Sequence, residues 1–202
     1  MAGRGFFICV EGLDGCGKTT QTKTLVKNLQ AEGFDAVYTA EPSRGKIGGF
    51  LRGYCLQSEK RVPSMVEALL FAADRVEHLK REVVPALNEG KTVVSDRYVY
   101  SSLAYQGATG LDLGWIREIN KWAMHPDLAV FVDVEPETAI RRTKPRKSVM
   151  ENLETQRKVR EVYMKFVESG ELVRIDGNRP KKRVADEILG SVLKFLKKQI
   201  RR

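Results

Sequence analysis

The sequence predicts an α/β domain, a parallel sheet covered by helices on both faces. Three observations carry that expectation. Short apolar, β-branched runs recur at 6–10, 36–38, 92–94, 128–134 and 172–175, continuous enough in hydrophobicity to be buried on both sides. Longer stretches with a helical apolar period separate them, so strands alternate with helices. A glycine-rich segment, 12–19, links the first run to the first helical stretch. At 202 residues the chain is expected to form one domain, 1–202, because a second independent core would need more length. Its 42% hydrophobic and 30% charged residues exclude a disordered, collagenous or disulfide-framework protein.

Taken in order, the first strand runs into Glu11, too early for a secretory signal, and no run of about 18 apolar residues follows. The chain is therefore expected in the cytoplasm and away from membranes. Cys9, Cys16 and Cys55 lack metal-ligand spacing and are odd in number, which fits free thiols in a reducing compartment. After the second strand the clearest helix begins at Ser64, where Ser64 and Glu67 form an S-x-x-E capping box, and runs to Leu87 with Pro85 kinking its end. Its apolar stripe, Val66, Leu69, Leu70, Ala73, Val76, Val83, Val84 and Leu87, is expected to face the core. Phe71 and Arg75 fall on the opposite side with Glu67, His78 and Glu82, and an aromatic on a polar face needs a reason. Past the third and fourth strands, residues 143–149 (Thr-Lys-Pro-Arg-Lys-Ser-Val) interrupt two helical patterns with a basic loop. The last helix spreads its charge around Val184, Ile188, Val192, Leu193 and Leu196, the pattern of a docked helix with a solvated basic face.

The formal net charge is +9, which by itself speaks to steering and solubility. Its distribution is more informative. Residues 141–202 hold 19 of the 35 Lys and Arg against 8 acids, whereas residues 1–140 are close to neutral.

The segment Gly12-Leu-Asp-Gly-Cys-Gly17-Lys18-Thr19 is a complete G-x-x-x-x-G-K-[ST] motif between a strand and a helix. Its backbone amides at Gly12, Gly15, Cys16, Gly17 and Thr20 are expected to turn towards phosphate oxygens at the helix N-terminus. Lys18 reaches the β and γ phosphates and Thr19 offers a hydroxyl to Mg²⁺. This predicts a three-layer P-loop NTPase fold with a five-stranded parallel sheet flanked by helices. No guanine-reading N-K-x-D is present, since Asn120-Lys121 is followed by Trp122-Ala123, so a GTPase is excluded. Asp96, ending the third strand, sits where a carboxylate organises the metal, and Arg97 beside it is placed to hold an acceptor phosphate. An Asp-Arg pair taken alone is also what a surface ion pair looks like.

Four segments together, the loop 11–21, Glu41-Pro42-Ser-Arg44, Leu70-Phe71-Ala-Ala-Asp-Arg75, and Asp96-Arg97-Tyr98 followed by Ala104-Tyr105-Gln106-Gly107, resemble the thymidylate kinases in order and spacing. The resemblance covers about 6–188. It implies that Phe71 stacks on thymine and that Arg75 donates to the base 4-carbonyl, which would disfavour cytosine with its amino group there. Without it Phe71 reads as a helix–helix contact. It implies further that Ser102 and Gln106 lie beside the base, that Tyr105 crowds the sugar 2′ position, that Asp14 accepts from the 3′-hydroxyl, and that Arg44 and Arg97 hold the acceptor phosphate. The resemblance also implies a charge-stabilising arginine from either the phosphate loop or a short lid; Gly15 leaves the loop without one, so the lid, about 143–149, is expected to supply it. Arg142 and Arg146 are the leading candidates and Lys144 and Lys147 the lesser ones. Asn178 and Arg179 fit a loop beside adenine, with Arg142 on its other face.

The resemblance implies Mg²⁺-dependent transfer of the ATP γ-phosphoryl group to dTMP, giving dTDP on the way to dTTP, by a homodimer. No general base is needed, because a phosphate oxygen with a second pKa of about 6 is already largely ionised. His78 and His125 are read as bystanders, and Cys16 as a thiol whose pKa the loop amides lower. The alternatives are a kinase for another nucleoside monophosphate or deoxynucleoside, and a nucleotide-dependent nucleic-acid-binding protein using the basic last third.

Overall fold

The computed structural model describes residues 5–56, 62–142 and 153–200. The lid core at 143–149, with Arg146, Lys144 and Lys147, lies outside the described residues. Strands β1 (Phe7–Gly12), β2 (Ala36–Ala40), β3 (Thr92–Asp96), β4 (Leu128–Asp133) and β5 (Val173–Asp176) appear where the five apolar runs predict them. They form one all-parallel sheet in the order β2-β3-β1-β4-β5. Helices flank it. α1 (Lys18–Ala31) packs on α9 (Lys181–Ile200), and α5 (Val99–Gly107) packs on α8 (Leu153–Glu168).

Every residue of β1 is buried, as expected for the centre of a doubly covered sheet. Phe131 of β4 stacks on Tyr163 of α8 at 4.7 Å, and Phe7 meets Tyr98 edge-on at 4.8 Å. Chain connectivity fixes where a ligand would sit. β1 leads through α1 to β2 on one side, whereas β3 leads across β1 to β4 on the other. Neighbouring central strands thus send their connections in opposite directions, and a crevice opens at their C-terminal ends. Val10 pairs with Asp96 and Gly12 with Val132, so the 12–19 loop and the 96–98 turn share that edge.

The helix that begins at Ser64 departs from the sequence reading in three ways. It divides into α3 (Ser64–His78), a π-helical stretch (Leu79–Val83) and α4 (Val84–Asn88). The kink expected at Pro85 is instead a change of register ending there. Proline at the start of α4 needs no amide partner, and the wider upstream turn relieves its clash. The capping box is not formed. Pro63 is the N-cap, Ser64 is already helical, and the Glu67 N–H donates to the Pro63 carbonyl oxygen at 3.1 Å. The apolar stripe on α3 faces outward, not into the core. Val66, Leu69 and Val76 are 38–47% exposed, while Glu67, Ala68, Ala72, Asp74, Arg75 and His78 are buried. The π-helical stretch adds a residue to the turn and rotates the downstream residues by about 100°, which explains why Val83 and Leu87 of the same sequence stripe are buried.

α9 buries Val184, Ala185, Ile188, Val192 and Leu196, as its period predicts, with Leu193 half-buried. The two remaining short helices on the site side are α2 (Lys46–Leu51) and α6 (Leu113–Ile119), and α7 (Pro136–Arg142) follows β4.

Candidate active site

Glycine is required in the 12–19 loop because Gly15 and Gly17 adopt φ of 82° and 93°, a left-handed conformation that side chains resist. This twist delivers the chain into α1, whose first amides have no intrahelical acceptor and face outward with the positive end of the helix dipole. Lys18 lies buried at that point. Its ammonium donates to the Leu13 carbonyl oxygen at 3.1 Å and contacts the Asp14 carboxylate at 3.4 Å. Thr19 and Thr20 are exposed beside it.

Asp14 joins this loop to the turn after β3. Its carboxylate pairs with the Arg97 guanidinium as well as with Lys18, and its N–H donates to the Tyr105 hydroxyl at 2.9 Å. Desolvation pulls the Asp14 carboxyl upward, but the charges of Arg97 and Lys18 outweigh it and hold the group well below the usual carboxylate range. Arg97 lies 4.9 Å over the Tyr105 ring and donates to Ser101 Oγ at 2.9 Å. It is also the one non-glycine residue with positive φ, 73°, among the described residues. Such strain persists where surrounding contacts over-determine it. Here the Arg97 N–H bonds the Val10 carbonyl at 3.0 Å and its own carbonyl accepts from Ser95 Oγ at 2.7 Å.

Beneath this turn Glu11 is fully buried and accepts four hydrogen bonds. Tyr98 N–H (2.9 Å) and Ser101 N–H (3.3 Å) reach one oxygen, and Ser101 Oγ (2.6 Å) and Tyr163 OH (3.0 Å) reach the other. A side chain from β1 thus caps α5, whose N-cap is Tyr98. Burial pushes the Glu11 carboxyl up to about 7, with the Ser101 hydrogen bond, the Arg97 charge and the Tyr163 and Tyr98 bonds only partly opposing it.

Thr19 Oγ1 donates to Asp96 Oδ2 at 2.5 Å, and Asp96 Oδ1 is buried without a hydrogen-bond partner. A hydroxyl and a carboxylate with an open oxygen, beside a phosphate-type loop, are the hard donors that Mg²⁺ takes together with phosphate oxygens. The residues therefore fit the ion, although no cluster of three His, Cys, Asp or Glu is present among the described residues.

The polar face of α3 forms the far wall. Arg75 is 1% exposed, lies 5.2 Å over the Tyr98 ring, and donates to Glu41 Oε2 at 2.7 Å, Ser102 Oγ at 3.1 Å and Asn120 Oδ1. Its Nε is buried without a partner. Phe71, one turn earlier on the same side, is half-buried, and Ser102, Tyr105 and Gln106 of α5 are buried. Asp74 accepts from the Ser43 N–H and hydroxyl at 2.8 and 2.6 Å, and Glu77 accepts from the Ile47 N–H at 3.0 Å. Two carboxylates of α3 therefore hold the loop that presents the exposed Arg44.

The other expected residues are less engaged. Arg142 is exposed at the end of α7. Asn178 accepts from the Glu135 N–H at 3.2 Å, tying the loops after β4 and β5, and Arg179 is paired with Asp176 and Glu187. Cys16 is a correction: burial pushes its thiol up despite the nearby Lys18 charge, so it is not an activated thiolate. His78, read as a bystander, lies buried against Glu41 and Thr39. The sequence gives no role to Glu11 or Glu41, although both stand inside its motifs, and nothing in the pattern around Asn120 marks it.

The chain matches the thymidylate kinase family over residues 10–188. It is 46% identical over 179 residues to a probable thymidylate kinase of Pyrococcus abyssi, covering 85% of this chain and 87% of that one. A probable thymidylate kinase of Pyrobaculum calidifontis is 43% identical over 189 residues, 92% and 95% of the two chains. One from Methanosarcina mazei is 38% identical over 205 residues, 96% and 98%. With the loop, the turn and the α3 wall converging on one sheet edge, these matches lead to one conclusion: the chain belongs to the thymidylate kinase family.

Proposed function

We propose that this protein phosphorylates dTMP with ATP as donor. The observation that carries the reading is the Lys18–Asp14–Arg97–Tyr105 cluster. It joins a triphosphate-type loop to the turn after β3 and to α5, whose Ser102 in turn meets the buried Arg75 on the face of α3 that also carries Phe71. A phosphate donor and a base-bearing acceptor would meet across it.

In this reading Lys18 leaves the Leu13 carbonyl for the β and γ phosphates, and the α1 amides with Gly12, Gly15, Cys16, Gly17, Thr19 and Thr20 cradle them. Arg97 and Arg44 neutralise the acceptor phosphate. Asp14, free to release one cation to each phosphate group, accepts from the sugar 3′-hydroxyl. Phe71 stacks on the base, Arg75 donates to its 4-carbonyl, Ser102 and Gln106 lie at its edge, and Tyr105 excludes a 2′-hydroxyl. Asn178, Arg179 and Arg142 border the adenine side, and a lid arginine, Arg142 or Arg146, supplies charge to the transferring group. Thr19 and Asp96 would hold Mg²⁺, which supplies neutralisation of the phosphate oxygens when bound. No side chain has to remove a proton, so alignment and charge do the work.

We further propose a single kinase domain acting as a homodimer in the cytoplasm. One contiguous buried core supports the first point, and the outward apolar stripe on α3 supports the second. No helix among the described residues is long and apolar enough to cross a membrane. A coupled assay across dTMP, dUMP, dCMP, dGMP and UMP tests the acceptor. dTMP is expected to have the highest kcat/KM, and preference for another monophosphate overturns the base assignment while leaving a kinase.

A further inference from the structure

The buried face of α3 carries one group to which the proposed phosphoryl transfer gives no role. His78 is 1% exposed and its ring is held at both edges. Nδ1 lies 3.2 Å from Glu41 Oε1, and Nε2 lies 2.6 Å from Thr39 Oγ1 and 3.7 Å from Glu82 Oε2. Glu41 spends its other oxygen, Oε2, on the Arg75 guanidinium at 2.7 Å. The backbone fixes Glu41 as well, because its N–H donates to the Asp96 carbonyl at 3.1 Å.

We propose that His78 is a positioning residue for base recognition, locking the Glu41 carboxylate so that Glu41 in turn locks Arg75. The inference rests on the reading of Arg75 as the donor to the base 4-carbonyl. Its physical basis is the freedom each group would otherwise keep. A carboxylate held through one oxygen rotates about its terminal bond and carries its partner with it. Held through both, its plane is set, and so is the charge-assisted bond it makes to the arginine. Arginine is long and rich in rotamers, so a guanidinium aimed at one carbonyl needs such a frame. Ser102 and Asn120 fix two further edges of Arg75, and Glu41 supplies the opposing charge that its burial requires. A ring N–H at Nδ1 donates to Glu41 Oε1, and Nε2 on the other edge lies against Thr39 Oγ1, whose hydroxyl donates to Glu82 Oε2 at 3.0 Å.

A histidine that merely fills the core would move stability and every kinetic constant together. A positioning histidine raises KM for dTMP while kcat and KM for ATP stay nearly constant. Asparagine places an amide N–H near the Nδ1 position and leucine does not, which separates the two. In the full-length protein His78→Leu is expected to raise KM for dTMP about tenfold or more and to narrow the dTMP over dCMP preference, with kcat within about threefold. His78→Asn is expected to recover KM to within about threefold. Glu41→Gln covers the case in which His78→Leu does not fold, and should show the same KM rise. Combined with a folded His78→Leu it raises KM no further than either change alone, because the two act through one path.

A twofold or smaller change in KM for dTMP in a folded His78→Leu protein overturns the proposal. So does an equal fall of all constants in the Leu and Asn variants. If His78→Leu does not fold, an unchanged KM in Glu41→Gln overturns it instead. Arg75→Ala separates the relay from the thymine reading on which it rests. If Arg75→Ala leaves base preference intact, the thymine reading falls; if it abolishes preference while His78→Leu does not disturb it, only the relay falls.

Discussion

Asp14 holds two cations, Lys18 and Arg97, that the proposed reaction assigns to two different phosphates. A carboxylate in a phosphate-binding loop is costly unless it has such work, and in the structure it keeps both side chains near the positions they need. Lys18→Ala is expected to lower kcat by about a hundredfold or more with the fold retained, read by a coupled assay beside circular dichroism. Normal turnover would sink the loop's role in catalysis. Glu11 gives a prediction of a different kind. Its folded carboxyl is pushed up to about 7 from an ordinary 4.5, so between those values the folded chain holds a proton that the unfolded chain has lost. Stability from this group is therefore greatest below pH 4.5 and falls as pH rises through 7, by about 3 kcal/mol for a shift of this size. Glu11→Gln removes the titration and keeps the space, and the Ser101 and Tyr163 hydroxyls can turn to accept from the new amide. The difference in urea-unfolding free energy between the parent and Glu11→Gln should shift across pH 5 to 8 in the variant's favour. A constant difference would show that Glu11 does not titrate there.

At the scale of elements, the strands were legible because a doubly covered sheet leaves no alternative reading for short apolar runs, and the loop at 12–19 was legible because its glycines have one use at that place. α3 was not, and the reason is physical. Periodicity assumes that the apolar face is the buried one, but Asp74, Arg75 and His78 are buried on hydrogen bonds to Ser43, Glu41 and Thr39. Those partners lie about 30 residues or more away in the chain and leave no local trace. A π-helical stretch then shifts the phase of everything after His78. The same wall fixes the loop before α2 and the first turn of α2, where Gly48 has no room for a side chain: a Cβ there would lie 2.2 Å from the Ser43 carbonyl oxygen and 2.7 Å from Asp74 Oδ1. Gly48→Ala must push the 43–48 segment off α3 and displace Arg44 with it. The expected outcome is a loss of about 1–3 kcal/mol of stability with a raised KM for dTMP, measured by denaturant unfolding and steady-state kinetics. Unchanged KM would detach Arg44 from the acceptor phosphate.

For the whole molecule, two features of the surface pull in different directions. The positive excess lies after residue 140, much of it on the solvated side of α9 and around Arg179, where acids of the same segment already answer part of it. Among the described residues Asp176 and Glu187 break up the positive charge around Arg179, a spread that suits a nucleotide's few charges. The apolar side is more concentrated. Met65, Val66, Leu69 and Val76 stand exposed along α3, and α2 packs beside it with Phe50 exposed and stacked 5.1 Å from Tyr54. A soluble monomer seldom leaves so many large apolar groups in one neighbourhood. A second copy satisfies them most simply, because a two-fold axis needs only one such face on each chain. The opposite face of α3 carries Arg75 and His78, so pairing there would also stiffen the wall of the proposed base site from behind. Leu69→Lys puts a charge at the centre of the stripe, at a position 47% exposed in the single chain, and so should leave the fold intact. Sedimentation equilibrium is expected to find the parent at twice the chain mass and Leu69→Lys at the chain mass, with KM for dTMP raised more than KM for ATP. A parent that sediments as a monomer would remove the second copy and leave the stripe without an occupant.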